Sequence, residues 1–195
     1  MRIIVATKNQ GKIREIKNIF SDIDVEIITQ EEANIVIDVE ETGDTFEKNA
    51  LIKAKAVSLL CDDIVMADDS GLCVEALDGR PGVYSARYAG EGASDAQRIE
   101  KILDELKDAA NRNAKFICCI ALIMPDGREF TTTGEVRGEI LKSPQGEGGF
   151  GYDPIFYSTE LEKSFAIASA EEKNSVSHRG RALRAMYTVL KEVLN

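Results

Sequence analysis

Short β-branched segments alternate with segments of helical periodicity in the first third of the chain, and this alternation constrains the fold more than any other feature. Residues 2–7 read RIIVAT and are typical of a buried strand. Ile13, Ile16 and Phe20 follow at the spacing of one helix face, and residues 25–28 form a second apolar segment. Because strand, helix and strand succeed one another, we expect an α/β domain.

The rest of the chain adds a hairpin to this pattern. A helix is expected to begin after Thr45 and to bury Leu60 at its far end, and residues 64–67 are expected to form a short buried strand. Residues 116–124 and 128–136 flank a Pro-Asp-Gly turn, as in a β-hairpin. We therefore expect a mixed sheet, and the 195 residues are expected to form a single domain.

Capping residues mark the starts of three later helices. Ser94 with Gln97 and Ser169 with Glu172 have the spacing of a capping box, in which two side chains satisfy the free backbone groups of a helix start. Ser177 is expected to cap the last helix of the chain.

Charge and composition exclude several classes of protein. The net charge of −10 argues against nonspecific nucleic-acid binding, which needs a broad basic face. No segment approaches the ~20 apolar residues of a membrane span. The first residues lack the apolar core of a signal peptide, so we expect a cytoplasmic protein. The cysteines form no CxxC pair, and these four residues are expected to be reduced and in the core: Cys61, Cys73, Cys118 and Cys119.

An anion site is expected where the first strand meets the first helix. Backbone N–H groups and the dipole of a helix N-terminus favour negative charge. Lys8 and Lys12 add positive charge there, Thr7 and Asn9 add hydrogen-bond donors, and Gly11 lets the backbone approach a ligand. The spacing is not that of a Walker A motif, and a solvated polar loop is the alternative interpretation.

Two adjacent carboxylates follow the apolar residues 64–67. Asp68 and Asp69 are expected at the end of that strand, where ligands gather in α/β sheets. Such a position is costly for two charges unless a cation offsets them, and Mg²⁺ would do so with help from Glu40 or Glu41. The alternative is that the two aspartates are turn residues before Ser70-Gly71.

A second glycine-rich segment contains four glycines in the nine residues 145–153. Phe150 and Tyr152 offer a face on which a nucleotide base can stack, and Asp153 can accept hydrogen bonds. The alternative is an Ω-loop whose aromatic side chains fill the core.

Cationic residues cluster near the last helix of this acidic chain. Lys173 precedes His178, the single histidine, which is followed by Arg179 and Arg181. Grouped cations are a candidate anion site. The alternatives are a solvated helix face for the cations and a surface cap for the histidine, since one histidine cannot build a metal site.

Taken in order, six segments resemble the inosine triphosphate pyrophosphatase family, which acts on non-canonical purine triphosphates. They are T-x-N-x-x-K, E-E-T-G-x-T-F-x-x-N-A, A-D-D-S-G-L, P-G-V-Y-S-A-R-Y, G-G-F-G-Y-D-P-I-F and E-K-N-x-x-S-H-R-G. Each segment alone is weak, but six in one order are specific, and they extend from Ile3 to about Leu190.

The resemblance implies an elongated α/β domain around a long twisted mixed sheet flanked by helices, usually in a homodimer. It also implies Mg²⁺-dependent hydrolysis of ITP, dITP and XTP to the nucleoside monophosphate and pyrophosphate, which cleanses the nucleotide pool. Nucleic acids and membranes are not expected partners.

The resemblance also assigns site residues. Asp69 is implied to be the catalytic carboxylate and a metal ligand, with Ser70 touching the substrate. Glu40 is favoured over Glu41 as the second metal ligand, although both match the motif. The residues implied to hold the triphosphate are Thr7, Lys8, Asn9, Gln10, Gly11 and Lys12. Those implied to form the base pocket are Phe150, Gly151, Tyr152, Asp153, Lys173, His178 and Arg179.

Two other functions fit the same residues. A catalytically silent nucleotide-binding module would keep both loops and give Asp68 and Asp69 a structural role. A pyrophosphatase for modified pyrimidine triphosphates would use the same chemistry on another base. Turnover on a panel of triphosphates, with and without Mg²⁺, separates the three.

Overall fold

The computed structural model describes residues 1–194, which contain a seven-stranded mixed sheet. The strands are β1 (Arg2–Val5), β2 (Glu26–Thr29), β3 (Ile64–Val74), β4 (Asn113–Ile123), β5 (Glu129–Ile140), β6 (Phe156–Ser158) and β7 (Lys163–Ser164). Their order in the sheet is β2-β1-β3-β4-β5-β6-β7. β1 pairs in parallel with β2 and β3, whereas β5–β6 and β6–β7 are antiparallel pairs. The expected mixed α/β sheet is confirmed.

Five α-helices accompany the sheet in the described chain: α1 (Gln10–Ile19), α2 (Phe46–Ser58), α3 (Asp95–Glu105), α4 (Ala170–Val176) and α5 (His178–Leu194). Both predicted capping boxes are present, at Ser94 and Ser169, and Thr45 caps α2. Leu60 was predicted wrongly, since α2 ends at Ser58 and the Leu60 side chain is exposed. No helix within residues 1–194 has both the length and the apolarity needed to cross a bilayer.

The chain divides into two compact units. Unit 1 contains residues 1–69, 118–134 and the chain from 179 onward, and unit 2 contains residues 70–117 and 135–178. The interpretation of the whole chain as one domain stays a prediction.

Alternate strand residues of unit 1 point to opposite faces of the sheet, as the pleat of a strand requires. One face packs with Ile16 of α1 and Met186 of α5, and its strand residues are Ile3, Val5, Ile64, Met66, Cys118, Ile120 and Leu122. The other face packs with Ala50 and Ala54 of α2, and its strand residues are Ile4, Val65, Ala67, Cys119, Ala121 and Ile123. Different helices cover the two faces, so consecutive side chains of β3 contact different helices.

Unit 2 has a core of its own. Ile99 and Ile102 of α3 pack there with Phe116 of β4 and Phe156 of β6, and the Phe116 and Phe156 ring centroids lie 4.6 Å apart. Tyr152, from the glycine-rich segment, belongs to the same cluster. Burial of these aromatic side chains supplies much of the hydrophobic contribution to the folding of this unit.

Two sequence expectations need correction. β3 does not end before Asp68 but continues through both aspartates to Val74, so they are neither strand-end nor turn residues. Side chains distant in sequence balance the charges of the two aspartates, so the strand can continue through them. All four cysteines are free, as expected, but Cys61 and Cys73 are only half-buried, so the core assignment holds for Cys118 and Cys119 alone.

Candidate active site

The loop between β1 and α1 is shaped by its own side chains. Asn9 Oδ1 accepts hydrogen bonds from the backbone N–H groups of Gly11 (2.9 Å) and Lys12 (3.2 Å), and Thr7 Oγ1 accepts one from Asn9 N–H. Asn9 Oδ1 thus caps α1, and the role of Thr7 and Asn9 as donors to a ligand stays a prediction. Lys8 is exposed and pairs with Asp38 at 3.0 Å, and Gln10 is exposed at the helix start. Lys8 and Lys12 therefore have different partners.

Asp68 is fully buried on the face of the sheet that α1 and α5 cover. Its Oδ2 lies 2.9 Å from Lys12 Nζ and 3.3 Å from Arg179 Nε, and Arg179 also pairs with Glu15 at 2.6 Å. Burial opposes ionisation of Asp68, but the charges of Lys12, Arg179 and Lys53 outweigh it and hold its pKa well below the usual range. Asp68 is thus a permanent anion that holds two cations.

Asp69 points to the opposite face, which α2 covers. Asn49 Nδ2 donates a hydrogen bond to its Oδ2 (3.0 Å), and Lys53 Nζ lies 3.8 Å from its Oδ1. Burial and the nearby Glu41 carboxylate raise the pKa of Asp69 to about 6, against the opposing effects of Lys53, Asn49 and Lys12. A carboxylate with such a pKa can exchange a proton near neutral pH.

Glu41, and not the favoured Glu40, is the acid beside Asp69. Lys53 Nζ lies 2.6 Å from Glu41 Oε1 and also donates a 2.6 Å hydrogen bond to the backbone oxygen of Asp68. Glu40 is exposed. The two glutamates are neighbours in sequence, so only the path of the chain after residue 40 distinguishes them.

Asn49 and Lys53 were not predicted from the sequence to belong to the site. Both lie on α2, four residues apart, among the apolar positions that face the sheet. Asn49 is fully buried, and its Oδ1 accepts a 2.7 Å hydrogen bond from Gly43 N–H, so it ties the turn after Glu41 to Asp69. The signal that would have found them is a polar residue interrupting an apolar helix stripe.

The carboxylate oxygens of Asp69 and Glu41 are of the donor type that a hard divalent cation prefers. The Lys53 ammonium contacts both Glu41 and Asp69, which shows that one positive charge can be shared by the two carboxylates. Asp68 Oδ1 is buried and has no hydrogen-bond partner within residues 1–194. No group of three or more His, Cys, Asp or Glu side chains in that part of the chain is arranged to hold a metal. Mg²⁺ commonly takes one or two carboxylates and completes its shell with phosphate oxygens and waters.

In unit 2 the glycine-rich segment wraps closely around Asp153. Asp153 Oδ2 accepts hydrogen bonds from Phe150 N–H (2.8 Å) and from Lys173 Nζ (2.7 Å). A Cβ at Gly149, whose φ is +74°, would lie 2.2 Å from the same oxygen, so only glycine allows this approach. Gly151 also has a positive φ, +62°.

Lys173 is buried beneath aromatic rings. Its Nζ lies 4.4 Å from the ring centroid of Phe150 and 5.8 Å from that of Phe165, within the range of cation–π attraction. Phe150 itself is half-exposed. Lys173 therefore contacts the Phe150 ring from the buried side and holds this partly exposed aromatic face in place.

The other residues assigned to the base pocket occupy different places. His178 is buried and stacks on Phe116 with ring centroids 4.7 Å apart, so it is not a surface cap. Tyr152 departs from the expected stacking face, because its ring is in the core and its hydroxyl donates to Ser85 O at 2.8 Å. Arg179 is engaged by Asp68 and Glu15. Ser70 follows Asp69 in β3 and is half-buried. Base binding by His178, Tyr152 and Arg179 stays a prediction, as does contact of Ser70 with the substrate.

Comparison with known proteins gives one consistent result. The model of the Ham1 family matches residues 3–189. A dITP/XTP pyrophosphatase of Bacillus anthracis is 48% identical over 189 residues, which cover 95% of this chain and 94% of that protein. A protein of the same name from Geobacter sulfurreducens is 50% identical over 184 residues, covering 93% of this chain and 92% of that protein.

A solved structure agrees with the fold. The structure of the Staphylococcus aureus Ham1 protein matches with a TM-score of 0.90 at 46% sequence identity. The match covers 98% of this chain and 99% of that one.

Proposed function

Because the chain belongs to the Ham1 family, we propose that it hydrolyses ITP, dITP and XTP to the nucleoside monophosphate and pyrophosphate, with Mg²⁺ as cofactor. It is an enzyme, a nucleoside-triphosphate pyrophosphatase. The mechanism rests on one observation: the adjacent aspartates have pKa values shifted in opposite directions, lowered for Asp68 and raised for Asp69. The homodimer and the cytoplasmic location stay predictions.

Charge governs the chemistry on the triphosphate. The substrate brings about four negative charges, which repel a nucleophile unless cations offset them. Lys12 and Lys53 supply positive charge from fixed positions, Lys12 held by Asp68 and Lys53 by Glu41. Mg²⁺, when held by Asp69 and Glu41, adds further charge stabilisation on the phosphate oxygens.

Asp69 is proposed to prepare the attacking water. Its pKa of about 6 leaves it ionised at pH 7 to 8, while it remains basic enough to accept a proton. Attack at the α-phosphorus then releases pyrophosphate, whose charge the lysines stabilise. Asn49 and Lys53 hold the Asp69 carboxylate in one orientation during this step.

Phe150 is proposed to stack on the purine, with Lys173 and Asp153 fixing its position. Selection for a 6-oxo purine requires a donor aimed at that oxygen, which leaves the amino group of adenine without a partner. A buried mismatch of that kind can discriminate by roughly 10⁴-fold.

A substrate panel tests the proposal. ITP, dITP, XTP, GTP, ATP and a modified pyrimidine triphosphate are incubated with Mg²⁺ or with EDTA, and the products are separated by ion chromatography. We expect pyrophosphate and monophosphate from the first three substrates, only with Mg²⁺. Release of single phosphates, or tight ITP binding without turnover, would contradict the proposal.

Substitution of the proposed base gives the largest effect. Asp69→Asn should lower kcat on ITP by about 10³-fold or more, because proton transfer and charge at that position are both lost. Asp62→Asn is the matched control, since Asp62 is exposed just before the same strand. Similar activity of the two variants would remove Asp69 from the mechanism.

A further inference from the structure

The loop that carries Phe150 is also held from α3, by a residue outside the six motif segments. Asp95, the first residue of α3, accepts a hydrogen bond from Gly151 N–H through its Oδ2 at 2.7 Å. Its other oxygen pairs with Arg98 on the same helix. Two consecutive backbone amides of the loop thus donate to two different carboxylates, Phe150 N–H to Asp153 and Gly151 N–H to Asp95.

Arg98 extends this connection to another segment of unit 2. Its Nη1 donates to the backbone oxygens of Ala86 (2.8 Å) and Ala93 (2.7 Å). The start of α3 therefore joins the 3₁₀ helix Gly82–Arg87 to the loop that carries Phe150. Charge-assisted hydrogen bonds of this kind are about twice as strong as neutral ones.

Packing on this side of the loop is sparse. A groove of about 680 Å³ is lined by α3 residues, among them Ile99, Leu103 and Asp104, and by the loop from Gly146 to Gly151. A Cβ built on Gly151 would meet no atom within 4 Å. A loop bordered by open space depends on directional bonds for its position, and Asp95 provides one of them.

From this geometry we propose that Asp95 is a positioning residue for the purine: it fixes the Phe150–Gly151 backbone and thereby sets affinity for the base, without acting on the phosphates. The inference rests on the proposed function for the identity of the ligand. It assigns to Asp95 an effect on KM and none on the chemical step.

Binding and kinetics of Asp95→Ala test the inference. We expect KM for ITP to rise about tenfold and kcat to stay within about threefold of wild type, as for a lost charge-assisted hydrogen bond. By isothermal titration calorimetry, inosine monophosphate should bind about tenfold more weakly, whereas tripolyphosphate should bind as to wild type. Asp104→Ala, on the same helix and groove, should change none of these values.

Other outcomes would distinguish a purely structural role of Asp95 from the proposed positioning role. If Asp95 only supports folding, the active fraction and kcat fall together while KM and both dissociation constants stay unchanged, and the proposal is overturned. Equal weakening of inosine monophosphate and tripolyphosphate binding would overturn it as well.

A second variant, Asp95→Asn, keeps the proposal testable if Asp95→Ala does not fold. Asp95→Asn keeps the size of the side chain and one acceptor oxygen, so if Asp95→Ala does not fold, this variant decides: a KM rise of about threefold supports the role, and a wild-type KM refutes it. If wild type binds inosine monophosphate but does not hydrolyse ITP, the proposed function fails while the calorimetric comparison still judges Asp95.

Discussion

Two lysines, one in each unit, show how the same side chain serves different surroundings. Lys53 lies among charged groups: Glu41, Asp69 and the backbone oxygen of Asp68. Lys173 pairs with the carboxylate of Asp153 and lies beneath aromatic rings. Their side chains are similarly buried, 14% and 8% exposed, so burial does not distinguish them.

The difference indicates a division of tasks. Burial opposes ionisation of Lys53, but Asp68, Asp69 and Glu41 outweigh it and raise its pKa, so its charge is permanent and acts on neighbouring charges. Lys173 uses its charge to hold the Phe150 face and Asp153 together. Under the proposed function, unit 1 would manage phosphate charge and a proton, and unit 2 would present an aromatic surface to a base.

The largest expected contrast comes from removing the first lysine. Lys53→Met keeps the length of the side chain but removes its charge, and kcat on ITP should fall by about 10²- to 10³-fold, with a small change in KM. Lys55→Met is the control, since Lys55 is exposed on the same helix and pairs with Glu129. A KM effect without a kcat effect would erase the proposed difference between the two lysines.

Removing Lys173 should have a smaller effect than removing Lys53, and the effect should be on KM rather than on kcat. Lys173→Met should raise KM for ITP about tenfold and leave kcat within about threefold, because Phe150 and Asp153 lose their common partner. Inhibition by tripolyphosphate should not change. Lys163→Met, which breaks the 2.9 Å pair with Glu172, serves as the control. A loss of kcat equal to that of Lys53→Met would break the comparison.

The smallest effect concerns stability and pH in unit 1. The pKa of Asp69 is raised in the folded protein from the ordinary 3.8 to about 6, so its contribution to stability is fully present below about pH 4 and is lost as the pH rises through about 6. Asp69→Asn cannot ionise and should be more stable than wild type by about 1–2 kcal/mol at pH 7.5.

The measurement is urea unfolding in EDTA. The gain from Asp69→Asn should disappear at pH 3.5, where the wild-type carboxyl is protonated in both states. A gain that is the same at both pH values would show that ionisation of Asp69 is not its cause.

Local signals predicted much of the fold. The capping residues Ser94 and Ser169 begin helices as expected, because a cap depends only on residues three or four positions away. The extent of β3 was not predictable in the same way. Its continuation through Asp68 depends on Lys12 and on residues more than a hundred positions later, which local sequence cannot reveal.

The site was predictable in part for the same reason. The sequence resemblance pointed to Asp69 and Lys12 as members of one site, and both lie in the charge network of unit 1. It did not separate Glu41 from Glu40, since neighbouring glutamates differ only in which way the backbone turns them. It also offered Tyr152 as a stacking surface, although a buried hydroxyl bonded to Ser85 O places that ring in the core.

The alternation of β3 has a consequence for how this sequence can change. Since Asp68 faces Lys12 and Asp69 faces Lys53, moving the β3 sequence back by one position would place Asp69 opposite Lys12 and Ser70 opposite Lys53. A single-residue deletion upstream in β3 would therefore keep a carboxylate beside Lys12 and remove the one that is poised to take a proton. The number of residues between Ile64 and Asp69 therefore determines which side chain occupies each of the two positions.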